Sequence, residues 1–328
     1  MLVHENKQTA VPTRVLILGS GGFLSPHLQK ALAAAGAGHR ALGSAEVDLR
    51  RPESSAALAR VIAPDDTVVM MAALTPDKGR DLDTFMSNVR MGETVCRALE
   101  AAPCRHFIYL SSDAVYDADK TPLDEDSTRE PVDLYALTHT NREMMLASVL
   151  AKRATPFCIL RPTNIYGPGD THNNYGPNRF VRTAVRDGRI VLFGRGEERR
   201  SHLYVRDAVE LIVRTILWRS SGILNLAARP AVSFRRVADT VVRHCANPVR
   251  IEFEARTIQP IHRPYKATQV FRFLSKFGRQ ISPIVHRPYA VSAIFKAFPD
   301  FHYTPLDEGV AAFIKSVGSA AAPTKGSI

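Results

Sequence analysis

The fold can be worked out from one stretch near the start of this 328-residue chain, Val15-Leu-Ile-Leu-Gly19-Ser-Gly21-Gly22-Phe-Leu-Ser25. Its apolar start is typical of a buried strand, and the strand stops at a glycine. The glycines permit a tight turn, and a helix-forming run follows. The free N–H groups at the start of such a helix, together with its dipole, attract phosphate. Because the glycines follow a strand and open a helix, the stretch predicts a site for a diphosphate.

Strands and helices alternate from Arg14 to about Arg161. The longer strands are continuous apolar runs, as expected of parallel strands covered on both faces. The pattern therefore predicts an α/β fold, a Rossmann-like doubly wound parallel sheet. The predicted strands are Val15–Leu18, Arg40–Leu42, Thr67–Ala72, His106–Leu110 and Phe157–Leu160, and the helices are His27–Ala35, Ser54–Ile62, Leu82–Ala102 and Leu134–Arg153.

Proline, glycine and arginine become dense after Arg161, which favours a smaller C-terminal lobe for substrate. Shorter elements follow: a helix at Asp207–Trp218 with Asp207 as N-cap, a strand at Ile223–Leu226, and a helix at Ser233–Cys245 with Ser233 as N-cap. We predict a flexible extension over residues 1–12, a dinucleotide-binding domain over 13–165, a substrate lobe over 166–316 with segments returning to the main domain, and a disordered tail over 317–328.

Composition narrows the class of protein. The formal net charge of +11 is spread along the chain without a dense basic block, which favours a solvated surface or an anionic substrate over nucleic acid. No apolar run is long enough for a membrane span, and no signal peptide is recognisable. The cysteines have no metal-ligand spacing, so we expect no metal site and reduced thiols in a cytoplasmic protein. They are Cys96, Cys104, Cys158 and Cys245.

Hydroxyl groups cluster where the fourth long strand ends, in Tyr109-Leu-Ser111-Ser112-Asp-Ala-Val-Tyr116. Ligands of an open α/β sheet bind beyond the carboxyl ends of its strands, so these hydroxyls are expected to face the site. The next long helix, with Asp133 as N-cap, carries Tyr135 and His139 on one face. Either feature alone is typical of a turn or of packing, but their combination with the glycine turn favours a catalytic site.

At this point the chain resembles the extended short-chain dehydrogenase/reductase family of nucleotide-sugar epimerases, dehydratases and reductases. The resemblance runs from Arg14 to about Phe313, and its motifs occur in the family's order. It rests on Gly19-x-x-Gly22-Phe-Leu-Ser25, Asn88-Val-x-x-Gly92, Ser111-Ser112-Asp-Ala-Val-Tyr116, Arg161-Pro-Thr-Asn164-Ile-Tyr166-Gly-Pro-Gly169, Arg200-Ser-His-Leu-Tyr-Val205-Arg-Asp207 and Pro305-Leu-x-Glu308-Gly309.

The resemblance implies a cofactor, NAD or NADP, and a nucleotide-sugar substrate. It implies that Tyr135 exchanges a proton with a sugar oxygen and that Ser112 hydrogen-bonds the same oxygen. The implied cofactor-binding residues are Gly19, Gly22, Phe23, Leu24, Asp48, Leu49, Ala72, Ala73, Asn88, Ser111, Tyr135 and His139. The substrate candidates are Asp113, Asn164, Arg179, Arg200 and Arg287, of which Arg179 rests on its neighbourhood alone. Arg263 competes with Arg287, because His262-Arg-Pro-Tyr265 recurs as His286-Arg-Pro-Tyr289.

One position departs from the family. A lysine four residues after the tyrosine usually favours the phenolate and holds the ribose, whereas this chain has His139. Histidine is mostly neutral at pH 7. Three hypotheses follow: His139 acts as the third catalytic residue, protonated by the field of the cofactor diphosphate; a nearby arginine supplies the charge; or the protein binds more than it catalyses.

Neighbouring residues narrow the reaction. Family dehydratases have an Asp-Glu pair after the catalytic hydroxyl, and this chain has Asp113-Ala114. The resemblance then leaves hydride transfer at one sugar carbon, with C4 epimerisation placed ahead of 4-keto reduction and of a non-catalytic dinucleotide-binding protein. The end of the second strand carries no acid for the ribose 2′-hydroxyl, so NAD and NADP stay open. The resemblance also implies a homodimer, because family members often pair through two long helices, here Leu82–Ala102 and Leu134–Arg153.

Overall fold

The structure is a computed structural model that describes residues 2–116, 121–255, 284 and 286–321. Its centre is a seven-stranded sheet, parallel except for its first strand, in the order β1-β11-β6-β5-β4-β2-β3. The predicted Rossmann-like sheet is therefore confirmed. The strands are β1 (Val3–His4), β2 (Arg14–Leu18), β3 (His39–Leu42), β4 (Asp66–Met70), β5 (His106–Leu110), β6 (Phe157–Pro162) and β11 (Ser220–Leu226).

Helices cover both faces of this sheet, because alternate residues of a strand point to opposite sides. Val15 and Ile17 of β2 face a core built with α1 and α6, whereas Leu16 and Leu18 face a core built with α2, α3 and α4. The helices are α1 (Leu24–Ala34), α2 (Ser55–Val61), α3 (Leu82–Ala101), α4 (Leu134–Ala151), α5 (Pro177–Asp187), α6 (Val205–Leu217), α7 (Phe234–His244), α8 (Ser292–Ala297) and α9 (Leu306–Ala321).

A smaller lobe has its own core, in which Phe180, Phe234 and Phe313 of α5, α7 and α9 pack together. Short strand pairs complete it. They are β7 (Asn164–Tyr166) with β10 (His202–Tyr204), β8 (Arg189–Phe193) with β13 (Arg250–Glu254), and β9 (Arg199–Arg200) with β12 (Val232–Ser233). Within the described residues, no helix combines the length and the apolar character needed to cross a membrane.

Two of the predicted N-caps are confirmed and one is wrong. The Asp133 carboxylate accepts from Ala136 N, and the Ser233 hydroxyl accepts from Arg236 N. Asp207 does not cap α6, which begins at Val205. It lies buried in the first turn and accepts hydrogen bonds from both N and Oγ1 of Thr304. Its carboxylate thus ties the segment before α9 to α6.

The two chain ends differ from the sequence prediction. The predicted flexible extension contains β1, where His4 stacks on Trp218 at 4.7 Å and lies 2.8 Å from Ser220 Oγ. The predicted disordered tail is wrong over 317–321, because α9 continues to Ala321. Residues 322–328 and the first repeat copy, His262-Arg-Pro-Tyr265, lie outside the described residues.

Candidate active site

The glycine turn follows β2, where the strand order of the sheet reverses and successive connections run to opposite sides. β2 is flanked by β3 and β4, so the chain leaves it at the switch point, where ligands of open α/β sheets bind. Gly19 has a φ of +113°, which glycine alone adopts without strain. A Cβ at Gly19 would lie 2.9 Å from the backbone nitrogen of Ala72. The turn after β2 and the segment after β4 are therefore in backbone contact.

The turn fits a dinucleotide. Whereas Gly19 is tightly packed, a Cβ at Gly21 would meet nothing within 4 Å, so the outer side of the turn is open. Phe23 and Leu24 at the start of α1 are buried beneath it, and Ser25, in place of a third glycine, is fully buried. An open backbone surface at a helix N-terminus is the geometry that binds a diphosphate.

Ser112 and Tyr135 come together beyond β5. Ser112 begins a short 3-10 helix at Asp113–Val115, and its Oγ accepts from Ala114 N at 3.1 Å. Tyr135 lies in the first turn of α4. Burial raises the pKa of Tyr135 to about 12, while the Ser112 hydroxyl and the Arg142 charge act in the opposite direction. The phenol is therefore protonated at neutral pH and able to donate a proton.

His139 is buried against two tyrosines. Its Nδ1 lies 2.8 Å from the Tyr109 hydroxyl, and its ring meets that of Tyr135 edge-on at 4.7 Å. Burial, together with the Arg142 charge, lowers the pKa of His139 to about 3. The imidazole is therefore neutral at pH 7 in this structure.

The tautomer of His139 follows from its partner. If the imidazole donated to Tyr109, the buried phenol would keep an unpaired proton, which costs free energy. We therefore assign Tyr109 as the donor and place the imidazole proton on Nε2. His139 Nε2 has no hydrogen-bond partner within the described residues. A buried donor of this kind fits a hydroxyl of a bound ribose.

Arg142 was not predicted as a site residue. Its side chain is fully buried between α4, α3 and the end of β4. The guanidinium donates to Asn88 O, to Asn88 Oδ1 and to Ala72 O. Asn88 in turn binds both backbone polar groups of Leu74. Arg142 and Asn88 thus fix the segment after β4 that includes the cofactor candidates Ala72 and Ala73.

Ser111 does not present its hydroxyl to the site. Its Oγ donates to Glu143 Oε1 at 2.6 Å, beneath the sheet edge. Glu143 is buried and forms a two-point ion pair with Arg161. The expectation that both serine hydroxyls face the site is therefore wrong for Ser111, because successive residues of an extended chain point to opposite sides.

Asp113, Arg200 and Arg287 are brought together beside Ser112. Arg287 donates to Asp113 O at 2.5 Å and lies 3.8 Å from the Asp113 carboxylate, which also accepts from Tyr289 Oη at 2.7 Å. Arg287 pairs through its backbone with Arg199 and Arg200. Arg200 itself forms an ion pair with Glu198. The second copy of the repeat, His286–Tyr289, therefore reaches this cluster.

The other two substrate candidates lie outside this cluster. Asn164 is the exposed first residue of β7. Arg179 is exposed on α5, where it contacts Asn173 O and the Tyr175 ring. Among the described residues, no contact joins Arg179 to the Asp113 cluster.

The end of β3 carries carboxylates that are already paired. The carboxylate of Glu46 accepts from Gly43 N at 2.9 Å. Asp48 forms a two-point pair with Arg50, and Arg51 lies 3.6 Å from the same carboxylate. Leu49 is buried, and its carbonyl accepts from Thr94 Oγ1. Neither acid projects unpaired at the strand end, so NAD and NADP are not distinguished here.

A small cavity of about 80 Å³ adjoins Tyr135, between the first turns of α3 and α4. Arg80 lines it, together with Leu74 and Asn88. The sequence does not identify Arg80 as a site residue, because it lies in a loop of mixed charge, which is also typical of a solvated surface.

The fold and this site define a Rossmann-fold enzyme that uses a dinucleotide, with a serine–tyrosine pair at the carboxyl edge of its sheet. The chain belongs to the NAD dependent epimerase/dehydratase family, which matches residues 15–227. It is accordingly an enzyme that depends on NAD or NADP.

Relatives with defined activities include reductases and epimerases. The chain is 26% identical over 309 residues to a dTDP-4-dehydro-6-deoxy-D-allose reductase of Streptomyces bikiniensis, covering 82% of this chain and 92% of the relative. It is 27% identical over 190 residues to an Escherichia coli O157:H7 N-acetyl-alpha-D-glucosaminyl-diphospho-ditrans,octacis-undecaprenol 4-epimerase, covering 56% of each. A GDP-L-fucose synthetase from Naegleria fowleri bound to NADP has the same fold, with a TM-score of 0.77 at 17% identity over 96% of this chain and 97% of that one.

Proposed function

We propose that this protein transfers a hydride from NAD(P)H to a carbonyl carbon of a nucleotide sugar, as a 4-keto-sugar reductase. The observation that carries the proposal is the meeting of Ser112 and Tyr135 at the carboxyl edge of the sheet that also holds the open glycine turn. These two hydroxyls can address one substrate oxygen, while the turn can hold the diphosphate of a dinucleotide.

The chemistry divides between the two hydroxyls. A nicotinamide bound at this site supplies the hydride for the carbonyl carbon. Tyr135 gives its phenolic proton to the carbonyl oxygen, and Ser112 donates a hydrogen bond to the same oxygen, which stabilises the charge that develops there. The gain from such a positioned acid is typically ~10²- to 10⁴-fold. His139 Nε2–H is placed to hold a ribose hydroxyl of the cofactor.

The surroundings of Asp113 argue against dehydration. Elimination of water needs an acid and a base near the catalytic hydroxyl. Here the second position is Ala114, and the Asp113 carboxylate is held by Tyr289 and Arg287. Both partners hold this carboxylate away from the role of a free base. It is better suited to fix Arg287, which we propose as a ligand of the substrate diphosphate together with Arg200 and Asn164.

C4 epimerisation is the second candidate. The sequence favoured it, and the Escherichia coli relative named above is a 4-epimerase. We place reduction first because the reductase relative is matched over 92% of its length, whereas the epimerase is matched over 56%. Both reactions use the same serine–tyrosine pair. They differ in whether the reduced cofactor is consumed.

The experiment is a cofactor balance with purified protein. dTDP-, UDP- and GDP-linked 4-keto sugars are mixed with NADPH or NADH, and the loss of reduced cofactor is compared with the sugar converted. One cofactor oxidised per sugar supports the reductase. Conversion of a C4 hydroxyl sugar without added cofactor supports the epimerase. Binding of NADPH without conversion of any sugar in the panel would contradict both. Tyr135→Phe serves as the inactive control.

We also propose that the protein is a homodimer that pairs through α3 and α4. Apolar side chains stay exposed on both helices, including Leu82 and Met144, each 63% exposed. Met86 and Leu137 are exposed on the same two helices. Exposed apolar groups on two adjacent helices are typical of an interface.

A further inference from the structure

Three side chains share one face of α4. Tyr135, His139 and Arg142 are spaced four and three residues apart, so they follow one another along the helix surface. Tyr135 is at the end that meets Ser112, and Arg142 is about two turns deeper. This face packs on β5 and α3, through Tyr109 and Gly92. Gly92 makes room for the arginine: a Cβ there would lie 3.1 Å from Arg142 Cγ.

The charge of Arg142 is buried without a counter-charge nearby. Arg142 donates to the backbone carbonyls of Asn88 and Ala72 and to the amide oxygen of Asn88, and it also contacts the Tyr109 hydroxyl; all of these partners are uncharged. Within the described residues, no carboxylate forms an ion pair with it, in contrast to the buried Arg161, which pairs with Glu143. Burying such a cation is costly. Its field therefore acts on neighbouring groups with little screening.

The groups on this face respond to that field. Arg142 opposes the burial that raises the pKa values of Tyr135 and Tyr109, and it helps to lower the pKa of His139. It also opposes the rise in the pKa of Cys96 on α3. The Asp113 and Asp133 charges act on Tyr135 in the opposite sense. Arg142 is thus the cation that favours the phenolate among the described groups that influence Tyr135.

We propose that Arg142 is the positioning residue whose fixed positive charge stabilises the developing Tyr135 phenolate, while the neutral His139 acts only as a hydrogen-bond donor. The two tasks that one lysine performs in related enzymes are divided here between two side chains. This inference rests on the proposed function for its catalytic meaning, but the charge arrangement can be tested without a substrate.

A purely structural role for Arg142 is the alternative, because it also fixes the segment after β4. A double-mutant cycle separates the two. The variants are Arg142→Met, His139→Lys and the double variant, with Arg142→Lys as the conservative control. A lysine at position 139 can restore a charge near Tyr135, but it cannot restore the contacts of Arg142 with Asn88 and Ala72.

The first measurement is the melting temperature of the full chain without ligand. His139→Lys places a second buried cation beside Arg142, so we expect it to lower the melting temperature by several degrees. In the Arg142→Met background this cost should be clearly smaller, since the repulsion is removed. Additive changes in melting temperature would show that the charge of Arg142 is not felt at position 139, and would overturn the inference.

The second measurement is hydride transfer from NADPH to dTDP-4-dehydro-6-deoxy-D-allose at saturating cofactor. We expect Arg142→Met to slow it by about 10- to 1,000-fold, the range of a one- to three-unit pKa change. The double variant should regain most of this loss, and Arg142→Lys should lose little. Failure of His139→Lys to rescue Arg142→Met would overturn the inference. If wild type transfers hydride to none of the 4-keto sugars of the panel, the proposed function fails, while the double-mutant cycle of melting temperatures still tests the charge arrangement.

Discussion

The Tyr109 hydroxyl lies 2.8 Å from His139 Nδ1, and both side chains are buried beneath the candidate site. This contact fixes the imidazole ring and leaves Nε2 as the nitrogen that can reach a ligand. A hydrogen bond in the core thereby makes His139 Nε2 the hydrogen-bond donor that the site presents to a ligand.

Tyr109→Phe tests this contact. The variant leaves Nδ1 buried without a partner, so we expect the free energy of unfolding to fall by about 1–3 kcal/mol. Chemical denaturation measures this loss. Nitrogen-15 NMR of the wild-type imidazole should show the proton on Nε2. A protonated Nδ1 in the wild type, or a Phe variant of unchanged stability, would contradict the assigned hydrogen bond.

The pH dependence of reduction should be flat around neutrality. The pKa of His139 is lowered to about 3 and that of Tyr135 is raised to about 12, so neither group changes its protonation state between about pH 6 and 9. Reduction needs the protonated phenol, so the rate should fall only as the pH rises toward the Tyr135 pKa. The measurement is the initial rate of NADPH oxidation across this range. A change in rate near pH 6.5 that is lost in His139→Ala would show that His139 titrates in this range.

Gly21→Ala tests the cofactor site. A Cβ at Gly21 meets no atom within 4 Å, so the fold should tolerate the change and the melting temperature should stay within a few degrees. A methyl group on the open side of the turn would obstruct a diphosphate, so we expect the Kd of NADPH to rise at least about tenfold. Gly318→Ala, another glycine with open surroundings, is the matched control and should leave the Kd unchanged. Unaltered NADPH binding by Gly21→Ala would place the diphosphate elsewhere.

The sequence could predict those parts of the site that depend on local pattern. The glycine turn follows from a strand, a glycine and a helix in succession, and Asp133 is recognisable as an N-cap ahead of Tyr135. The direction of the Ser111 hydroxyl could not be predicted, because the turn after β5 decides which serine faces the site. The partner of Asp113 could not be predicted either, since Arg287 lies 174 residues away along the chain.

Arg142 illustrates a different limit. Its spacing from Tyr135 is visible in the sequence, but arginine on a helix is usually solvated. Only the packing of α3 on α4, with Gly92 opposite the arginine, shows that this one is buried. The sequence could raise a nearby arginine as one hypothesis for the missing lysine, and the tertiary structure was needed to say which arginine is available.

Buried neutral histidines should make the protein sensitive to acid. The pKa of His106 is lowered to about 4, and those of His139 and His202 are lowered to about 3, in each case mainly by burial. The folded state therefore binds fewer protons than the unfolded state between these values and about pH 6.5. Above about pH 6.5 these histidines are neutral in both states and do not lower the free energy of unfolding. As the pH falls below about 6.5, proton binding by the unfolded state lowers the free energy of unfolding.

Denaturation curves at several pH values measure this effect. Each histidine should contribute a slope of up to about 1.4 kcal/mol per pH unit between about pH 4 and 6. His202→Phe is the informative variant, because neither ring nitrogen of His202 has a hydrogen-bond partner in the described residues. This variant should reduce the slope without removing a polar contact. A slope that is the same as in the wild type would show that His202 does not stay neutral.

The proposed dimer gives the last prediction. Met144 is 63% exposed on α4, so a charge there should cost the monomer little. In a dimer built on α3 and α4, the same charge would be buried against the partner at a considerable cost. We therefore expect Met144→Asp to shift the protein from dimer to monomer in light scattering, with the far-ultraviolet circular dichroism unchanged. Phe253→Asp is the matched control, since Phe253 is 54% exposed on β13 of the smaller lobe. Dissociation by the Phe253 variant alone would assign the interface to the lobe instead.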